Sequence, residues 1–179
     1  MRFPLVFSIL IFVVPSLAKA QFADEDLLSW HAEKRLTWAD YKAAPDKQSD
    51  AAASTASVLT ISYNISSEGF SYKIGCKFSR TKSWVLHRSD YILAHEQGHF
   101  DIAEIFARKL HKKMSEYTFN KKTFQKDLDK IYEDVINEKE KMQNDYDRVT
   151  NHSINKEKQA EWLKKILQLL DEYKSFSAY

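Results

Sequence analysis

The hydrophobic period of this chain changes once, near residue 90, and that change constrains the fold more than any other feature. Before it, "ASVLTISYNIS" (56–66) alternates, with Leu59, Ile61, Tyr63 and Ile65 on one face. "FSYKIGCKF" (70–78) alternates too, with Phe70, Tyr72, Ile74, Cys76 and Phe78 together. The polar "EG" at 68–69 is a plausible turn, so the two runs predict a β-hairpin, and "SWVLH" (83–87) a third short strand. After residue 90 the period is helical. Ser89 or Asp90 caps a helix running from near Tyr91 to about Tyr117. Its stripe of Ile92, His95, His99, Ile102, Phe106 and Leu110 is continuous only if both histidines face inward. A second helix starts near Thr123 and follows Phe124, Leu128, Ile131, Val135, Met142 and Tyr146, interrupted by Glu138. A third covers roughly Lys156–Tyr173, with Trp162, Ile166, Leu169 and Leu170 inside. Strands followed by helices predict an α+β fold, a small antiparallel sheet packed on a three-helix unit.

The first twenty residues read differently from the rest. Arg2, an apolar run from Phe3 to Leu17 and the close Ala18-Lys19-Ala20 form a secretory signal peptide with cleavage expected after Ala20. That leaves one domain, 21–179, exported to the periplasm or beyond, with no stable membrane insertion after cleavage. Removing Arg2 and Lys19 from 27 basic residues leaves 25 against 25 acidic, a formally neutral domain without the footprint of a nucleic-acid binder. With one cysteine, Cys76, an intramolecular disulfide is impossible, and stability rests on the core and on any bound metal. Three glycines in all argue against a phosphate-cradling loop.

The chemistry concentrates in "YILAHEQGHFDIAE" (91–104). Residues four apart on a helix stack on one face, so His95 and His99 can hold one cation between their imidazoles. Glu96, one step round, is placed to take a proton from a metal-activated water rather than to bind the metal. This is the H-E-x-x-H arrangement of zinc hydrolases. A catalytic zinc keeps three protein ligands and one open position, so a third is required. The extended form with a histidine six residues on is excluded, because Ile105 stands there, and Glu104 lies about half a turn from the histidine face. If the first two helices form an antiparallel hairpin turning near 119, position 97 faces roughly 141. Glu138, Tyr146 and His152 then return to the level of the site, giving a His-His-Glu or a three-histidine set.

"LTWADY" (36–41), "SWVL" (83–86), "LAHEQGHFDIAEIFARKL" (93–110) and "YDRVTNHSINKEKQAEW" (146–162) resemble a bacterial family of predicted secreted zinc-dependent proteases, long catalogued as a domain of unknown function. Its second block, Y-D-x-x-T-x-H followed by Q and W, is matched by Tyr146, Asp147, Thr150, His152, Gln159 and Trp162, with Ser153 where the family often has glycine. The resemblance implies a zincin-like fold and Zn²⁺ on His95, His99 and His152, with Glu138 the runner-up. Glu96 is then the general base and Tyr146 a donor to the developing oxyanion, with Asp101 or Asp147 accepting from the outer nitrogen of a zinc-bound histidine, Asp147 preferred because helix geometry turns Asp101 well round from His99. Trp38, Trp84 and Trp162 read as core anchors. The substrate expected is a peptide or protein, laid along one strand of the hairpin as the cleft edge. The rival readings are a non-catalytic exported binding module that keeps zinc for stability, and an envelope-assembly module.

Overall fold

The structure, a computed structural model, describes residues 26–179 apart from residue 68. The signal segment and the first residue of the "EG" turn lie outside the described residues. The chain runs β1 (Leu27–Ser29), β2 (Ala53–Ser54), β3 (Ser57–Ser66), β4 (Gly69–Ser79), β5 (Trp84–Val85), α1 (Asp90–Glu116), α2 (Phe124–Thr150) and α3 (Lys156–Glu172). The fold is α+β: a small antiparallel sheet and three helices.

The hairpin is as expected, β3 pairing β4 from Ser57↔Phe78 to Ser66↔Gly69. Gly69 takes φ 125°, which only glycine adopts without strain. Alternation decides burial near the base, where Leu59, Ile74, Cys76 and Phe78 are buried, while Tyr63 and Ile65 near the tip are exposed. The third strand is a correction. Residues 84–85 do not join the hairpin; they pair with β2 in a separate ribbon, Ala53↔Val85 and Ser54↔Trp84. The free edge of β4 is taken instead by β1, Leu28 opposite Phe78. Three residues are too few to show a period, and "LLS" carries none.

Helix α1 is the centre of the molecule. Ser89 caps it, accepting from the Ile92 N–H at 3.1 Å. From His95 to Arg108 every residue except His99 is buried, because α1 packs on the sheet and on both other helices. Phe100 meets Phe78 with ring centroids 5.8 Å apart. The segment before β2 is tied to the same helix: Leu36 N–H donates to Gln97 Oε1 at 2.7 Å, and Trp30 Nε1 to Asp101 at 2.8 Å.

The α1–α2 hairpin is centred near 121 rather than 119, so the α2 residue facing a given α1 position lies four residues, about one helical turn, further on. His99 faces Gln143 and His95 faces Asp147. On α2 the inward stripe is Leu128, Val135, Lys139, Tyr146 and Thr150. Glu138 points away, half-exposed, with its carboxylate 3.7 Å from the ammonium of Lys109. Helix α2 ends at Asn151, and Asn151, His152 and Ser153 all take positive φ, 49°, 48° and 73°. Among the described residues no helix is long and apolar enough to cross a membrane.

Candidate metal centre

Three ligand-type atoms converge between α1 and α2. His95 Nε2 and His99 Nε2 lie 3.2 Å apart, and Asp147 Oδ1 is 3.1 Å from the first and 2.9 Å from the second. Among the described residues His95, His99 and Asp147 form the group able to hold a metal ion. A tetrahedral zinc with ligands near 2.0–2.1 Å has ligand–ligand edges of about 3.3 Å. The triangle is within a few tenths of an ångström of that on every side, and two imidazoles with a carboxylate suit a divalent transition metal.

The surroundings orient these atoms. Gln143 grips His99 twice, its Oε1 accepting from Nδ1 at 2.5 Å and its Nε2 donating to the His99 carbonyl at 2.9 Å. A carbonyl oxygen can only accept, so Nδ1 carries a proton and Nε2 is turned to the triangle. Tyr146 is fully buried behind both histidines, stacked on His95 at 4.4 Å and edge-on to His99 at 5.0 Å. Its hydroxyl donates to the His95 carbonyl at 3.4 Å. Tyr146 therefore lies under the imidazoles and is not among the residues lining the cavity, where an oxyanion donor would stand. Gly98 makes this packing possible, since a Cβ there would stand 2.6 Å from the Tyr146 oxygen.

Each remaining motif residue has a physical task. Asp101 gathers Trp30, Gln97 and both terminal nitrogens of Arg35, so it anchors the N-terminal segment. Thr150 Oγ1 donates back to the Tyr146 carbonyl at 2.7 Å, closing the last turn of α2. Trp162 packs on Tyr146 at 5.5 Å. Gln159 donates to the Tyr91 carbonyl at 3.1 Å, tying α3 to the start of α1.

Asp147 is nearer than expected. It faces the Nε2 atoms that point into the site, not an outer nitrogen, and so occupies the place anticipated for His152. His152 is half-exposed, its Nδ1 3.6 Å from Asp147 Oδ1, and it lines the cavity mouth. It is held there by the left-handed turn 151–153, where non-glycine residues store on the order of 1–3 kcal/mol each. Glu138 does not line the cavity; the one-turn shift of the hairpin carries it past the site.

The cavity over the triangle is about 390 Å³, between α1, α2 and the segment 49–57, and is lined by Glu96, Lys139 and Trp84 besides the ligand-type residues. Its strand wall is β2 and the residues leading into β3, not the hairpin edge. Glu96 is buried, and its Oε2 has no hydrogen-bond partner among the described residues, nor has His95 Nδ1. Buried polar atoms are seldom left unpaired, and here two of them stand on one turn of α1.

The charges agree. Burial pushes His95 below its usual pKa, keeping it neutral as a ligand must be. For His99 burial acts the same way, but the Asp147 hydrogen bond and the charges of Asp147 and Glu96 prevail and raise it to about 8. Burial opposes ionisation of Asp147, yet the two histidines hold it well below the carboxylate range. In the metal-free chain a proton on His99 thus occupies the place of a cation. Missed from sequence were Gln143, Lys139 and the 49–57 wall; the first two needed only the α1–α2 register.

No curated protein and no solved structure matches this chain. A family model does, across residues 29–153, which takes in both motif blocks up to His152 and Ser153. The chain belongs to the family described as "Bacterial protein of unknown function (DUF922)".

Proposed function

We propose that this protein is an exported, zincin-like zinc hydrolase acting on peptide bonds, with His95, His99 and Asp147 as protein ligands. The observation that carries the reading is the triangle of His95 Nε2, His99 Nε2 and Asp147 Oδ1 beside a buried, unpaired Glu96 oxygen in one cavity. Zn²⁺ there would lower the pKa of a coordinated water towards about 7 and leave a fourth position for substrate. Glu96 is the group placed to accept the water proton and return it to the leaving nitrogen. Gln143 fixes the His99 tautomer and Tyr146 fixes both rings. His152 at the mouth faces substrate rather than metal. The signal-like N-terminus supports export.

The test is metal analysis of the purified mature chain with peptidase assay of the wild type and Glu96→Gln. One zinc per chain, with turnover lost in Glu96→Gln and zinc retained, supports the reading. Zinc bound without cleavage of a broad peptide library would favour the zinc-stabilised binding module; no zinc at all would sink both.

A further inference from the structure

Lys139 is the least expected residue of the cavity. It takes the inward position of α2 one turn after Val135, where the apolar stripe calls for a hydrophobe. It is 7% exposed, and lysines are almost never so buried unless well paired. Its ion-pair partner is Glu140, 2.9 Å away, a side chain itself 55% exposed at the cavity rim. Among the described residues Lys139 is also the lone lysine or arginine lining the cavity, whose opposite wall is Ala51, Ala52, Ala53 and Ala56 with Ser54 and Thr55 between. An ammonium offers three donors, and one rim carboxylate cannot saturate them.

We propose that Lys139 reads an anionic group of the substrate, a carboxylate from an acidic side chain or a C-terminus, which displaces Glu140. This rests on the peptide-hydrolase reading and narrows its substrate class. Lys139 and Asp147 share one face of α2 two turns apart, about 12 Å at 1.5 Å per residue. An extended peptide covers about 3.3 Å per residue, so the carboxylate stands on the order of three or four residues from the bond over the metal triangle. The alanine wall adds no competing charge, so at this end charge governs selection.

The experiment uses alanine–serine peptides in which one glutamate is walked outward from the centre in both directions, each with a glutamine twin. A second pair differs only in a free or amidated C-terminus, separating the two sources of carboxylate. Affinities are measured by calorimetry on the zinc-loaded Glu96→Gln chain, so binding is read without cleavage. At one register the charged peptide binds roughly ten- to a hundredfold tighter than its neutral twin, as a charge-assisted hydrogen bond allows. Lys139→Met, which keeps the apolar stem, abolishes the difference; Lys139→Arg keeps most of it; Glu140→Gln enlarges it. No preference at any register in the Glu96→Gln chain with Lys139 intact, or a preference surviving Lys139→Met, would overturn the proposal. If wild-type protein cuts no peptide yet the preference appears, the hydrolase reading falls and the anion site stands.

Discussion

Helix α1 carries two buried polar clusters, and they are built on opposite principles. Towards its C-terminal end Glu104, Arg108 and Tyr179 saturate one another: Arg108 Nε donates to Glu104 at 2.8 Å, the Tyr179 hydroxyl donates to the other Glu104 oxygen, and Arg108 also donates to the Leu170 carbonyl. The Arg108 guanidinium lies 5.1 Å over the Trp30 ring as well. Two turns earlier, His95, Glu96 and His99 line a cavity, and the buried atoms His95 Nδ1 and Glu96 Oε2 have no hydrogen-bond partner among the described residues. Burial alone therefore says little about function. The saturated cluster ties helices together, whereas the unsaturated one lines a cavity beside the left-handed turn 151–153, where the proposed metal would sit.

The comparison is open to attack at both ends. The largest effect expected is Glu96→Gln, which should lower turnover by about 10²–10⁴, the range of general-base catalysis, while zinc content and melting temperature hold. Next is Glu104→Gln at the saturated cluster. Leaving Arg108 buried without its charge partner should cost about 3–5 kcal/mol of stability by denaturant titration, with zinc affinity per folded molecule unchanged. If that variant instead lost zinc and kept its stability, the division between the clusters would be wrong. Gln143→Leu should weaken zinc about 10–100-fold in a competition titration, because it frees the His99 tautomer.

The pH dependence is smaller but sharp. With His99 raised to about 8, zinc must displace its proton, so apparent zinc affinity should fall about tenfold per pH unit below about 8 and level off above it. In the metal-free chain the sign reverses. The raised His99 contributes stability fully below its unfolded value near 6.5, lost as pH climbs through about 8. The depressed Asp147 contributes above the ordinary carboxylate value and loses its share as pH falls through its lowered one. The lowered His95 works against folding below its unfolded value near 6.5. Metal-free stability should therefore peak at about pH 6.5 and fall on either side. Smallest of all, His152→Ala should leave zinc affinity within about twofold while slowing turnover; a large loss of zinc would restore His152 as a ligand.

The hairpin, the three helices and the pair His95 and His99 were legible because long periodic segments and an i, i+4 motif carry their geometry in the sequence. The rest depended on how elements meet. Glu138 and Lys139 are neighbours, and whether the stripe steps from Val135 by three or by four decides which turns inward; it steps by four to Lys139, and a hairpin centred near 121 rather than 119 brings Asp147 and Gln143 to the histidines. Tyr146 matched a motif, but motif membership does not distinguish a ring beneath the ligands from a hydroxyl in the cavity, and the clash awaiting any Cβ at position 98 does. The strand β1 and the 49–57 wall were invisible because two or three residues show no period.

The most direct measurement is a zinc-edge anomalous crystal structure of the mature chain. The account predicts one ion bound at about 2.0–2.1 Å to His95 Nε2, His99 Nε2 and Asp147 Oδ1, with a fourth position open to the cavity beside Glu96. A zinc ion bound elsewhere, or none bound between α1 and α2, would contradict it.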